Sequence, residues 1–548
     1  MKSSGVLGLT LGSLAVALGL SGAWLPAPLP IEAPENAFSA ERAWQHVSAM
    51  ARELHPAGTA ENLRVRAYLK ADLSKLGLTV RELPGEQGGL KLGNLYGELA
   101  GTDASRPVIL LVSHYDSVPR GPGAADCASG VATILETLRA LRAGPPLRNR
   151  VAVLFTDGEE HGLLGARAFV QEYSELWRDV RVVLNLEARG NHGPVLMFES
   201  SPGADRLIAL LNRHCPYPVA CSFSREVYRR LPNDTDFSVF LKAGCTGMNF
   251  AFVGGLEYYH TPRDTPDNLS RRTLQHYGSY LLPLTTALGR ATPAELEELK
   301  DAGEATYFPL WRGWLVHYPQ ALAAALACLT PVLFVVACWR RRRSLRLGRS
   351  FGSLGVSLLS FVLAAGLGFL AVALLRQAYH PAGRGPFVVG LPFEDGYLAG
   401  LALGTVLLTL GLNVWLLRGL SPEERLAGGL LPWLALTLVS AWFVPAAAYV
   451  FLWPTLLGTL ALLVPGGEES AVRTFLRAVL TAMPAPLLLA GTLYLVNQAV
   501  TIGVAPVSLG LIALATGLVC APRGRRALSG NTGASIPAPV EGGTHPSG

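Results

Sequence analysis

Seven stretches in the second half of the chain, 319–338, 351–375, 397–417, 426–444, 446–464, 478–496 and 504–521, contain no Asp, Glu, Lys or Arg. About 20 apolar residues in a helix cross the hydrocarbon core of a bilayer, so these runs predict a multi-pass transmembrane domain over 319–522 with about seven helices. A further apolar run over 5–26 follows Lys2 and predicts a signal anchor or a signal peptide in segment 1–27. A charge at the centre of a membrane helix costs about 2.5–3.5 kcal/mol and commonly marks an ion or proton path. The absence of any within the seven runs argues against a proton-coupled transporter.

The rest of the composition divides along the same line. All six lysines precede residue 301, and the net charge of +6 is matched by Arg340, Arg341, Arg342, Arg343, Arg346 and Arg349 beside one apolar run. That cluster is a cytoplasmic topology signal rather than a nucleic-acid footprint, and no nucleic-acid partner is expected. With it inside, the loops at 418–425, 465–477 and 523–526 also fall inside, 376–396 falls outside, and the polar half lies outside the cytoplasm. Tyr307, Phe308, Trp311, Trp314 and Tyr318 predict a juxtamembrane aromatic segment over 300–318, placed as an interfacial belt. The Gly-, Pro- and Ser-rich segment 523–548 predicts a disordered cytoplasmic tail.

Residues 35–299 alternate strand-like and helix-like segments. Strands are expected at 92–99, 108–113, 151–156, 180–186, 195–199 and 247–253, and helices at 40–54, 60–76, 128–142 and 271–289. Fully apolar strands such as Val-Ile-Leu-Leu-Val imply a sheet covered on both faces. The fold class is α/β, a central sheet with helices on both faces, joined to an all-α transmembrane bundle.

In such sheets the chemistry gathers beyond the carboxyl ends of the strands. Those ends here carry His114-Tyr115-Asp116 and a loop to Asp126, then Asp157-Gly158-Glu159-Glu160, then Glu187, then a loop with His260. Two imidazoles and three carboxylates are the N and O donors that a pair of zinc ions takes when one carboxylate bridges them. One further carboxylate is then free to act as a base.

The series Ser113-His114-Tyr115-Asp116, Ala125-Asp126, Asp157-Gly158-Glu159-Glu160, Asn185-Leu186-Glu187 and Tyr259-His260-Thr261 resembles the zinc aminopeptidase family. That family also includes glutamate carboxypeptidase, glutaminyl cyclase and the transferrin receptor. Asn185-Leu186-Glu187-Ala188, Asn233-Asp234-Thr235-Asp236-Phe237 and the attached multi-pass half resemble its vacuolar membrane protease and endoplasmic reticulum metallopeptidase branch. The resemblance implies a mixed central sheet, a zinc peptidase domain over 35–299, and two Zn2+ ions. It implies that His114 and Glu187 bind one ion, Glu160 and His260 the other, and that Asp126 bridges them. Glu159 is implied as the catalytic base, and Asp116 as the carboxylate that fixes the His114 tautomer. Ala125 and Glu187 both depart from the Asp common at those positions, the second in the manner of the membrane branch. Cys127 reads as a small buried cysteine, and Asp236 reads as a helix cap ahead of a pocket residue.

Cys215 and Cys221 are close enough in sequence to pair in an oxidising compartment. Asn233 and Asn268 lie in glycosylation sequons, but Asn233 falls in the expected site loop, where a glycan would obstruct substrate. This favours a bacterial inner membrane with an extracytoplasmic peptidase domain. Gly348-Arg349-Ser350-Phe351-Gly352 fits a nucleophile elbow but has no strand before it. The expected function is a membrane-bound dizinc aminopeptidase acting on peptides. The alternatives are an inactive receptor or scaffold of the same fold, a transporter-associated protein, and a glutaminyl cyclase, the last disfavoured because His114 supports a second metal.

Overall fold

The computed structural model describes residues 2–87, 89–103, 105–300, 302–379, 393–465 and 470–520. The tail at 523–548, with Arg523, Arg525 and Arg526, lies outside the described residues. Strands β1 (Thr79–Gln87), β2 (Leu90–Leu99), β3 (Val108–His114), β4 (Arg150–Thr156), β5 (Val180–Ala188), β6 (His192–Ser200) and β7 (Thr246–Gly254) form one seven-stranded sheet in the order β1-β2-β4-β3-β5-β7-β6. The central four, β4, β3, β5 and β7, are mutually parallel, and the flanking strands run antiparallel. The carboxyl ends of β3, β4, β5 and β7 therefore meet along one edge, which positions the site. β1 was not expected. Its sequence is polar and carries Pro84, which a sheet tolerates at an edge strand lacking one neighbour.

Alternation along β3 divides the core. Ile109 and Leu111 pack with the helices Ala40–Met50, Ser129–Arg142 and Arg271–Arg290 on one face. Val108, Leu110 and Val112 pack with Phe169 of the Leu164–Glu172 helix and Phe237 and Phe240 of the Asp236–Lys242 helix on the other. Both faces are buried, which is why these strands are continuous apolar runs.

Beyond the sheet, six helices among the described residues are long and apolar enough to cross a membrane: Gln320–Arg340, Leu347–Tyr379, Glu394–Leu416, Pro422–Phe443, Ala471–Val500 and Ile502–Cys520. Two of the seven expected spans are thereby revised. The run at 446–464 forms a shorter helix, Tyr449–Leu463, after a turn at Pro445–Ala447. The run at 478–496 belongs to a longer element divided at Met483 into Ala471–Ala482 and Pro484–Val500, because Pro484 and Pro486 suit the first turn of a new helix. The amino-terminal helix Lys2–Ser21 packs on this element. Gly19 is needed there, since a Cβ would stand 2.3 Å from the Leu487 carbonyl oxygen.

The expected aromatic segment is a paired β element. Residues Ala305–Trp311 and Trp314–Pro319 form an antiparallel hairpin, β8 and β9, which carries the sheet domain onto the bundle. Tyr307 and Phe308 point to opposite faces of β8 and are both buried, so β8 is covered on both faces, while Trp314 in β9 is exposed. Phe308 stacks on Tyr449 with ring centroids 4.3 Å apart, and Trp453 Nε1 donates to the Tyr318 hydroxyl at 3.1 Å. Ser222 Oγ donates to the Ala446 carbonyl at 2.5 Å. Cys215 and Cys221 do not pair. Both are free and buried, Cys215 in the core of the sheet domain and Cys221 in the cluster shared with Phe308 and Tyr449.

Candidate metal centre

His114 is the last residue of β3, and its neighbours in the parallel core bring the other donors to it. Glu187 sits near the end of β5, and the turn after β4 carries Glu159 and Glu160. That turn needs Gly158 at φ 74°, and a Cβ there would meet Leu92 Cδ2 at 2.7 Å. His260 comes from the loop after β7 and is held at φ 56°, the kind of left-handed backbone that a folded site must impose on a non-glycine residue. Asp126 enters on the short turn Ala124–Ala128, in which the Asp126–Cys127 peptide is cis.

The five expected metal ligands come together. His114 Nε2 lies 3.2 Å from Asp126 Oδ1 and 3.7 Å from Glu187 Oε2. His260 Nε2 lies 3.1 Å from Asp126 Oδ2 and 3.2 Å from Glu160 Oε1. The two oxygens of Asp126 thus face two separate donor sets. Donors about 2.0–2.1 Å from one tetrahedral ion stand about 3.4 Å apart, so these separations suit a shared ion as well as direct hydrogen bonds. Both imidazole Nε2 atoms lie within hydrogen-bond distance of Asp126, and Glu160 Oε1 is buried beside His260. The buried cluster is compatible with metal binding.

The electrostatics carry the same message. Burial pushes Glu160 up to about 7 and Glu187 up to about 8, with the charge of Asp126 among the neighbours that add to both. Burial likewise raises Glu159 well above the ordinary carboxylate value, reinforced by Glu187, Asp236 and Glu160. For the imidazoles burial opposes the charge, but hydrogen bonds to carboxylates outweigh it. Asp116 and Asp126 hold His114 well above its usual value, and Asp126 and Glu160 lift His260 to about 10. More carboxylates than imidazoles crowd one buried volume, a set compatible with a bound cation.

Asp116 faces both His114 and the turn after β4. His114 Nδ1 is 3.0 Å from the Asp116 backbone carbonyl and 3.5 Å from its carboxylate. The carboxylate also accepts the N–H of Glu159 at 3.1 Å and of Glu160 at 3.3 Å. The backbone carbonyl orients the imidazole, and the side chain fixes the Glu159-Glu160 turn. Asp236 is not the cap of its helix. Thr235 is, while Asp236 is fully buried and accepts from Thr156 Oγ1 at 2.5 Å. Cys127 is buried with its thiol pushed well up by desolvation, and it donates to the Leu186 carbonyl at 3.3 Å.

Three contributors escape sequence reasoning. Asp264 accepts the N–H groups of Ala125 at 2.7 Å and Asp126 at 3.2 Å, and so holds the turn that presents Asp126. Tyr277 accepts the Glu187 N–H at 3.1 Å, and Tyr259 stacks on His260 with centroids 3.7 Å apart. A tyrosine directly before His260 was the one such signal visible in the chain. Beside the cluster lies a cavity of about 400 Å³, with Asp126, Glu159 and Glu187 in its wall.

The family model of Peptidase family M28 matches residues 94–285. A vacuolar membrane protease of Candida dubliniensis is 29% identical over 331 residues, 56% of this chain and 34% of that protein. Endoplasmic reticulum metallopeptidase 1 of Rattus norvegicus is 28% identical over 258 residues, 46% of this chain and 28% of that protein. The chain spans about a third of the length of the curated relatives it matches. Among solved structures, an aminopeptidase from Aneurinibacillus sp. strain AM-1 covers 47% of this chain and 96% of its own, at 14% identity and a TM-score of 0.41.

Proposed function

We propose that this member of peptidase family M28, an integral membrane metallopeptidase, is a dizinc aminopeptidase that removes N-terminal residues from peptides outside the cytoplasm. The observation that carries this reading is the division of Asp126 between two donor sets, Oδ1 toward His114 and Glu187 and Oδ2 toward His260 and Glu160. Those five residues hold the metal. Bound zinc supplies a nucleophilic water at neutral pH and Lewis acidity toward the scissile carbonyl. Glu159 accepts a proton from the attacking water and returns it to the departing amine nitrogen. Asp116 keeps the adjacent Glu159 and Glu160 in their separate roles by bonding both of their N–H groups.

The proposed preference for a free amino end is supported by Asp234, a carboxylate in the cavity wall that holds no metal in this reading and can pair with an α-ammonium group. A peptide and the lipid bilayer are the partners, and a bacterial inner membrane is the proposed location. Asn233 lines the same cavity, so a glycan at its sequon would block entry, which suits a host that leaves the site bare. Leucyl-peptide hydrolysis by the purified full chain, beside the N-acetylated peptide, tests the reading. N-acetylation is expected to lower the rate by about 100-fold or more, since it removes the amine and its charge. Equal cleavage of both would contradict an aminopeptidase.

A further inference from the structure

The cavity is walled on one side by the membrane bundle. Strands β6 and β7 contribute Leu196, Phe198 and Ala251, all buried, and the last turns of the Pro484–Val500 helix contribute Leu495, Val496 and Ala499. Leu495 shares one apolar cluster with Leu196, Phe198 and Ala251, so the helix end is packed against the sheet rather than merely near it. Arg189 Nη1 donates to the Ala499 carbonyl at 3.4 Å, and Arg189 also lines the cavity. A Cβ on Gly254, the last residue of β7, would come within 3.0 Å of Gln498 Oε1, which shows how closely the helix approaches. The volume thus has a polar end at the candidate metal centre and an apolar wall built jointly by the sheet and a membrane helix.

We propose that the Pro484–Val500 helix sets substrate selectivity: Leu495, Val496 and Ala499 form one wall of the pocket for the N-terminal side chain, and peptides beginning with a large apolar residue are preferred. This rests on the aminopeptidase reading, which supplies the free amine at the carboxylate end. A side chain leading away from that amine enters the apolar part of the same cavity, whose volume of about 400 Å³ accommodates one large residue. Each methylene accommodated in such a pocket changes kcat/KM by about 10-fold or more. The membrane half is then a working part of the active site as well as an anchor, and the reaction takes place where the helix ends at Val500.

The test uses the full chain in lipid nanodiscs, with leucyl, phenylalanyl and alanyl amides and a photoreactive diazirine analogue of leucine amide. Ala499→Phe fills the pocket and is expected to lower the leucyl-to-alanyl ratio of kcat/KM by about 10-fold or more. Val496→Ala enlarges it and is expected to raise the phenylalanyl-to-leucyl ratio, which keeps the test open if the larger substitution impairs folding. In the wild-type chain the diazirine is expected to label residues 495–500. Unchanged ratios in a folded variant, together with labelling elsewhere, would overturn the proposal while leaving the peptidase reading intact. Labelling at 495–500 without hydrolysis of any amide would support the pocket and remove the peptidase reading. No labelling there and no hydrolysis would overturn both.

Discussion

Asp116 holds Glu159 by its backbone: one carboxylate oxygen accepts the Glu159 N–H at 3.1 Å, and the other accepts the Glu160 N–H at 3.3 Å. One buried side chain therefore sets where both glutamates begin, and the difference in their directions follows from consecutive positions on that anchored turn. In Asp116→Ala both N–H groups lose their acceptor. Activity is expected to fall by about 10–100-fold, the usual cost of losing a residue that supports a metal site. Asp116→Asn retains one acceptor and should fall between the two. Steady-state kinetics with zinc content measured on the same samples checks this, and unaltered kinetics in both variants would show that the turn holds itself.

Asp264 does for Asp126 what Asp116 does for Glu159. It is buried, raised to about 7 by desolvation, and bonded to the N–H groups of Ala125 and Asp126. Asp264→Ala leaves two buried donors unpaired, each costing about 1–3 kcal/mol. Thermal unfolding should come earlier, and zinc affinity in a chelator competition should drop by about 10–100-fold. Asp264→Asn, which keeps one acceptor, is expected to recover part of both losses. A variant that loses stability and keeps full zinc affinity would separate Asp264 from the site.

The donor set was legible because a parallel sheet forces strand ends together. His114, Glu159, Glu160 and Glu187 each follow or end an apolar strand, and that placement is visible in the sequence before any contact is known. Asp264 was not legible: its partners are backbone groups on a loop 138 and 139 residues away, and backbone donors leave no mark in a sequence. The apolar run at 478–496 announced a membrane span but could not announce that Leu495 faces the sheet domain, since an all-apolar helix has no polar stripe to assign its faces. The hairpin β8–β9 was hidden for a related reason. Aromatic residues serve equally at a membrane surface and in a packed strand, and burial of Tyr307 and Phe308 selects the second. Asp236 was read as a cap because Asp suits that position, yet Thr235 one residue earlier has the extended backbone a cap requires.

His276 gives the sheet domain an acid-sensitive element away from the metal centre. It is fully buried in the Arg271–Arg290 helix, with Nδ1 accepting the Val195 N–H and Nε2 donating to the Tyr217 carbonyl, both at 3.0 Å. Those bonds specify a neutral ring, and burial lowers its pKa from 6.5 to about 4. The unfolded chain binds a proton below pH 6.5 that the folded one refuses until about pH 4. Stability is therefore complete above 6.5 and declines by about 3 kcal/mol as the pH falls to about 4. Urea unfolding across that range, compared with His276→Gln, should show a shallower acid decline in the variant. Parallel curves would assign the acid sensitivity to other groups.

The account centres on Glu159 as the base beside a metal site that does not include it. The most direct measurement is zinc content and leucyl-amide hydrolysis of the full chain and of Glu159→Gln, made on the same preparations. The account predicts about two zinc ions per chain in both, with kcat in the variant reduced by about 100- to 10,000-fold. Full activity in Glu159→Gln, or undiminished hydrolysis after the metal has been removed, would contradict it.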